Sequence, residues 1–220
     1  PNLATDWPGF DDTRERVHAE LRTRVDIVLR AIAPLIGVKP EWLVRYASGG
    51  DDIVRFLRYF PLRGHSFPSG TLRSAKHTDV NLLTGLMSRG KGLVVRTKSG
   101  HRLELDIASD QLVVQMGDFM EVLSGGLLPA TEHWVENPDS LDTVRDSIAF
   151  FTHPHGLRCL DVLPHLRRDD FSWDPCTERA ATEKRLIEIG ILDPIKNPPK
   201  YAHEFVSKGY NFPSPWPDHI

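Results

Sequence analysis

The chain has 220 residues, a formal net charge of -3, 40% hydrophobic residues and two cysteines. That length buries one sizeable core without disulfides, and Cys159 and Cys176 supply neither a disulfide framework nor the paired spacing of a zinc site. With no basic footprint for nucleic acid, no polybasic membrane patch and no apolar run of the ~18 residues needed for a span, a soluble, cytoplasmic protein with a small-molecule partner is expected.

Residues 1–10 form a turn-rich lead-in that begins at Pro1 without an initiator Met, as in a processed or truncated product, and shows no signal pattern. Asp11-Asp12-Thr13 starts an amphipathic helix in which Val17, Leu21, Val25, Val28, Leu29, Ile32 and Leu35 recur at helical spacing. Gly37 ends it, and Pro40-Glu41-Trp42 opens a second, short helix, since proline suits a first turn. From residue 52 the texture changes. Ile53–Phe60 is a compact apolar and aromatic strand closed by Pro61, and Gly64–Gly70 is a breaker-rich loop.

A strand bearing His77 and Asp79 follows and leads through an apolar run to a turn at Ser88–Gly90. Leu93–Arg96 and Leu103–Asp106 flank the turn Lys98-Ser99-Gly100 as a hairpin. Gln111–Gln115 is a further strand, and Gly117-Asp118 turns sharply into the apolar segment Phe119–Leu123. Extended stretches lead up to Val135, then run over Thr143–Thr152 and Leu157–Leu163. Short strands joined by tight turns predict an antiparallel sandwich closed as a jelly roll. Glu178–Ile189 reads as a helix with apolar contacts at Ala181, Leu186, Ile187 and Ile189, capped by Gly190. Asn197–Ile220 is an arm rich in proline and aromatic residues.

His77 and Asp79 stand two residues apart, so on a strand they share a face and can grip one cation from a single segment. That is two thirds of a facial triad, in which two imidazoles and one carboxylate leave the opposite metal positions open, as suits non-haem Fe(II). Of the other histidines, His153, His155 and His165 sit near strand ends or loops, and His18, His65, His101, His203 and His219 lie in surface-like or tail contexts. His133 lies within an apolar strand approached from Gly125-Gly126, the half-buried, rigid setting that suits a neutral ligand.

Four ordered motifs, His77-Thr78-Asp79, Gln115-Met116-Gly117-Asp118-Phe119-Met120-Glu121, His133-Trp134-Val135 and the stretch Val144–Pro154, resemble the isopenicillin N synthase-like branch of the Fe(II)/2-oxoglutarate-dependent oxygenases. The likeness is densest over residues 52–165 and reaches Pro1-Asn2-Leu3 with Trp7-Pro8-Gly9-Phe10, and Ile187–Gly190, which are similar to flanking regions of bacterial members. The resemblance implies a mainly β chain with flanking helices, its core a double-stranded β-helix (jelly roll, cupin-like). It divides the chain into a helical N-terminal scaffold (1–51), the oxygenase core (52–165) and a C-terminal helix and tail packed on that core (166–220).

By the same resemblance His77, Asp79 and His133 are iron ligands, and Arg145 and Ser147 hold the distal carboxylate of 2-oxoglutarate. Two residues apart on a strand, that guanidinium and hydroxyl can converge on one anion. Tyr59 matches the family tyrosine near the co-substrate. No catalytic group beyond the metal ligands is implied. Relatives that halogenate carry a small residue in place of Asp79, so hydroxylation or desaturation of a small molecule, using Fe(II), 2-oxoglutarate and O2 and releasing succinate and CO2, is the expectation. Two alternatives stand beside it: an Fe(II) oxidase that needs no 2-oxoglutarate, like isopenicillin N synthase itself, and a silent jelly-roll binding module. The family also leads one to expect an N-terminal portion of about a hundred residues ahead of Pro1, in keeping with a larger domain. The sequence leaves the substrate and the oligomeric state open.

Overall fold

Proline and glycine set the limits of the helical N-terminal segment in the computed structural model, which describes residues 7–64, 66–137 and 142–201. The start of the lead-in, His65 and most of the aromatic arm, including His203 and His219, lie outside the described residues. Helix α1 (Phe10–Ile32) buries Leu21, Val25, Leu29 and Ile32 along one stripe. Pro34 has no N–H to continue the α pattern, so the chain tightens into a 3-10 turn at Ala33–Ile36 and stops at Gly37, whose φ of 71° lies in the left-handed region. The tighter turn leaves Leu35 62% exposed instead of in the apolar stripe, a correction to the periodic reading. Helix α2 (Pro40–Tyr46) follows, with Trp42, Leu43 and Tyr46 buried.

Eight strands then build the two layers: β1 (Ile53–Tyr59), β2 (Leu72–His77), β3 (Leu83–Arg89), β4 (Leu93–Arg96), β5 (Arg102–Leu105), β6 (Val113–Met116), β7 (His133–Glu136) and β8 (Arg145–Thr152). One sheet has the order β1-β8-β3-β6 and the other β2-β7-β4-β5, every pair antiparallel. The chain passes repeatedly from one sheet to the other, which is the double-stranded β-helix. A small ladder pairs β9 (Cys159–Leu160) with β10 (Cys176–Thr177). The extended reading of Leu157–Leu163 thus shrinks to two residues.

The segment after Gly117 folds as helix α3 (Asp118–Leu123), with Phe119, Met120, Val122 and Leu123 buried. Helix α4 (Glu178–Glu188) is capped by the Thr177 hydroxyl, which accepts from the Ala180 N–H. Its apolar contact is made by Ala180 and Ala181, whereas Ile189 is 45% exposed, again unlike the periodic reading. Among the described residues no helix is long and apolar enough to cross a membrane.

The β1-β8-β3-β6 sheet, called the large sheet for its longer strands, has two different faces because strand side chains alternate. Leu83 and Phe150 join the core under α1, and a Cβ on Gly85 would stand 3.3 Å from Val25 Cγ2, so glycine lets the helix approach. Thr84, Leu86, Ser147, Ala149 and Phe151 face the space between the sheets. The main core joins α1 and α2 to the sheet, α3, β9 and α4.

The crossing from β2 to β3 decides the site, and here the sequence reading needs its main correction. β2 ends at His77, and Asp79 lies beyond it in the turn that carries the chain into the other sheet, so the two residues do not share a strand face. The Asp118 N–H donates to Asp79 O at 2.8 Å, and Gly117 and Phe119 N–H donate to Leu82 O and Asn81 O at 3.0 Å each. A Cβ at Gly117 would lie 2.1 Å from Asn81 Oδ1 and 2.2 Å from Asn81 O. Because the second of these is backbone, no side-chain rotation relieves it. Gly117→Ala is therefore expected to lose about 3 kcal/mol of stability, at the upper end for overpacking; urea denaturation with an unchanged midpoint would contradict this.

Candidate active site

The β2–β7 ladder places His77 opposite His133, after register shifts that add residues to β2. Such bulges re-aim side chains. They bring both imidazoles to the space between the sheets, with ring centroids 4.3 Å apart. His77 Nδ1 lies 2.7 Å from Ala75 O and His133 Nδ1 3.0 Å from Thr131 O. A carbonyl only accepts, so each Nδ1 carries a proton, and in the neutral ring it is Nε2 whose lone pair is left for another partner.

Asp79 reaches the same point from the turn. Its Oδ1 is 3.7 Å from His77 Nε2 and 3.8 Å from His133 Nε2. Its Oδ2 accepts from the Thr84 hydroxyl at 2.5 Å, and Thr84 Oγ1 in turn accepts from Asn81 Nδ2 at 2.8 Å. One donor atom from each of His77, Asp79 and His133 lies within 4.8 Å of the other two. Two ligands each ~2.1 Å from an ion stand roughly 3–4.2 Å apart, and both Asp79–imidazole separations lie in that range, as suits one shared divalent cation. Burial pushes the His133 pKa down, outweighing the attraction of Asp79 that would raise it, and favours the neutral imidazole that a metal needs. His77 is 44% exposed on its side chain, so the centre opens to solvent on that side.

Across the cavity, β8 presents Arg145 and Ser147, 2% and 5% exposed. Arg145 Nη1 donates to Ser147 Oγ at 3.3 Å, and its guanidinium carbon sits 5.2 Å from the centre of the Tyr59 ring, which belongs to the residue paired with it on β1. Arg145 Nε is buried without a hydrogen-bond partner, and among the described residues no carboxylate forms an ion pair with this guanidinium. Burial accordingly lowers its pKa, and Arg73 lowers it further. A buried, uncompensated cation calls for an anion.

All six residues singled out from the sequence, His77, Asp79, His133, Arg145, Ser147 and Tyr59, line one cavity of about 100 Å³. Leu57, Leu86, Leu93, Val135 and Ala149 supply apolar wall. The sequence reading passed over Thr84, which holds Asp79, although a lone hydroxyl inside the apolar run Leu82–Met87 was a signal. It also gave no role to Gln115, which is buried in the wall, or to Arg55, whose guanidinium lies 5.3 Å from the Phe151 ring. For these two, position in the sheet is the only sign.

Known proteins share this arrangement of strands. The sequence profile of the 2OG-Fe(II) oxygenase superfamily matches residues 52–154. The chain is 28% identical over 153 residues to Jasmonate-induced oxygenase 4 of Arabidopsis thaliana, covering 68% of this chain and 42% of that protein. It is 27% identical over 162 residues to the flavonol synthase/flavanone 3-hydroxylase of Petunia hybrida, covering 72% and 45%. The chain thus spans less than half the length of these curated relatives. Among solved structures, a full-length Neurospora crassa protein in complex with alpha-KG superposes with a TM-score of 0.74 at 25% identity, over 85% of this chain and 60% of that one. A 2OG-Fe(II) oxygenase family protein of Caulobacter crescentus gives 0.72 at 26% identity, over 83% and 60%. Both four-stranded sheets and every residue lining the cavity fall inside the region that is similar to the 2OG-Fe(II) oxygenase superfamily.

Proposed function

We propose that this chain carries the catalytic centre of an Fe(II)- and 2-oxoglutarate-dependent oxygenase acting on a small molecule. In this reading His77, Asp79 and His133 hold the iron, and Arg145 and Ser147, with Tyr59 against the guanidinium, hold the distal carboxylate of 2-oxoglutarate. The observation that carries it is the pairing of two complementary needs in one cavity. A His-Asp-His donor set at one place wants a cation, and a buried guanidinium without a carboxylate wants an anion. A 2-oxo dicarboxylate between them answers both. An oxidase that works without such an acid leaves Arg145 unanswered, so the co-substrate-dependent reading is preferred.

When bound, iron and 2-oxoglutarate supply the oxidising power, the acid losing CO2 to become succinate as O2 oxidises a C–H bond of the substrate. The protein's own part is positional. Ala75 O and Thr131 O set the imidazole tautomers, Thr84 sets the carboxylate, and the Arg145–Ser147 pair sets the far end of the acid. The apolar walls keep water away from the rest. Jasmonate and flavonoid names among the relatives agree with a small organic substrate.

Removal of a ligand is the direct test. Asp79→Ala or His133→Ala should abolish Fe(II) binding and substrate-coupled succinate formation, and turnover retained in either would refute the ligand assignment. Thr84→Val frees Asp79 from the hydroxyl that holds it, its only side-chain hydrogen-bond donor among the described residues, and should weaken Fe(II) or Co(II) binding roughly 10- to 100-fold in a competition titration. In the Fe(II)-loaded, anaerobic protein, 2-oxoglutarate should raise the visible charge-transfer band of a bidentate chelate. Arg145→Met should raise its dissociation constant at least about 100-fold; an unchanged value removes Arg145 from the co-substrate site.

A further inference from the structure

The oxygenase reading leaves one buried polar group of the described cavity wall without a task. Gln115 on β6 is 3% exposed, and neither its Oε1 nor its Nε2 has a partner among the described residues. A buried carboxamide with both ends unpaired is uncommon in a folded protein unless a ligand or a water completes it. The nearby polar groups do not complete it. The Thr84 hydroxyl hydrogen is committed to Asp79, and the Asn81 Nδ2 donates to Thr84.

Its place in the sheet says which end of the cavity it serves. Gln115 stands opposite Thr84 on β3, whereas Ser147 stands opposite Ser88 on the same strand. Those rows are four residues apart, about 13 Å at strand rise. Gln115 is therefore on the row of the Asp79 anchor, and the Arg145–Ser147 pair is at the other end. All of them line the same cavity.

We propose that Gln115 is a co-substrate-binding residue, its Nε2–H donating to the carboxylate of 2-oxoglutarate that lies at the metal end of the cavity. Arg145 and Ser147 hold the distal carboxylate and Gln115 the near one, so both charged ends of the acid meet donors from the large sheet. This rests on the Fe(II)/2-oxoglutarate reading of the cavity. A hydrogen bond to a charged group corresponds to roughly a tenfold or greater change in affinity.

The test is an anaerobic titration of the Fe(II)-loaded protein with 2-oxoglutarate, read by the charge-transfer band, for wild type, Gln115→Met and Gln115→Glu. Gln115→Met keeps the length of the side chain and removes both polar atoms. It should leave Fe(II) affinity unchanged and the melting temperature of the ligand-free protein equal or higher, because an unpaired amide is lost. The 2-oxoglutarate dissociation constant should rise about tenfold or more. Gln115→Glu sets a like charge against the acid and should weaken it further; it also decides the matter should the methionine variant not fold. A dissociation constant equal to that of wild type in the folded variants overturns the proposal and assigns Gln115 to a buried water. Iron-loaded wild type that gives no band overturns the underlying reading instead.

Discussion

The turn at residues 78–82 carries the chain from one sheet to the other, and the hydrogen bond from Thr84 Oγ1 to Asp79 Oδ2 ties that crossing to the space between them. Its backbone is held by three further bonds to the start of α3, from Gly117, Asp118 and Phe119. The two imidazoles come from opposed strands of one sheet, and the carboxylate arrives from the link to the other. Any relaxation of the crossing moves one donor relative to two. Packing of α1 on the outer face of the large sheet and of α3 beneath the turn thus bears on the chemistry, although neither helix contributes to the cavity wall.

The cavity is also electrostatically unfinished as a bare protein. Asp79 and Arg145 are both buried in its wall, and they are not paired with each other. A divalent cation beside the first and a dicarboxylate against the second would remove both deficits, so ligand binding and folding stability draw on the same interactions. Gln115 extends that pattern to a neutral group.

How much of this was legible in the sequence differs from residue to residue. The amphipathic stripe of α1, the Gly37 stop and the β4–β5 hairpin follow from local spacing and turn chemistry, and the structure shows each of them. Leu35 and Ile189 did not follow. Pro34 changes the helical pitch in the first case, and in the second the α4 contact runs through small alanines near its start. Helix α3 (Asp118–Leu123) has too few residues for a period to be read.

The six residues that the family resemblance singles out do line one cavity, because motif order and spacing along the chain survive even where their structural explanation fails. His77 and Asp79 do converge, yet not as neighbours on a strand face. Residue types alone determined that two imidazoles and a carboxylate are available for a metal, that Arg145 and Ser147 share a strand face, and that the chain is a strand-rich sandwich with helices before and after it. Only the tertiary structure decided that the Asp79 carboxylate is held by Thr84, that the Arg145 guanidinium is buried without a counter-charge, and that Gln115 shares their cavity. The physical reason is that burial and pairing belong to contacts between strands distant in sequence, which period and propensity do not encode.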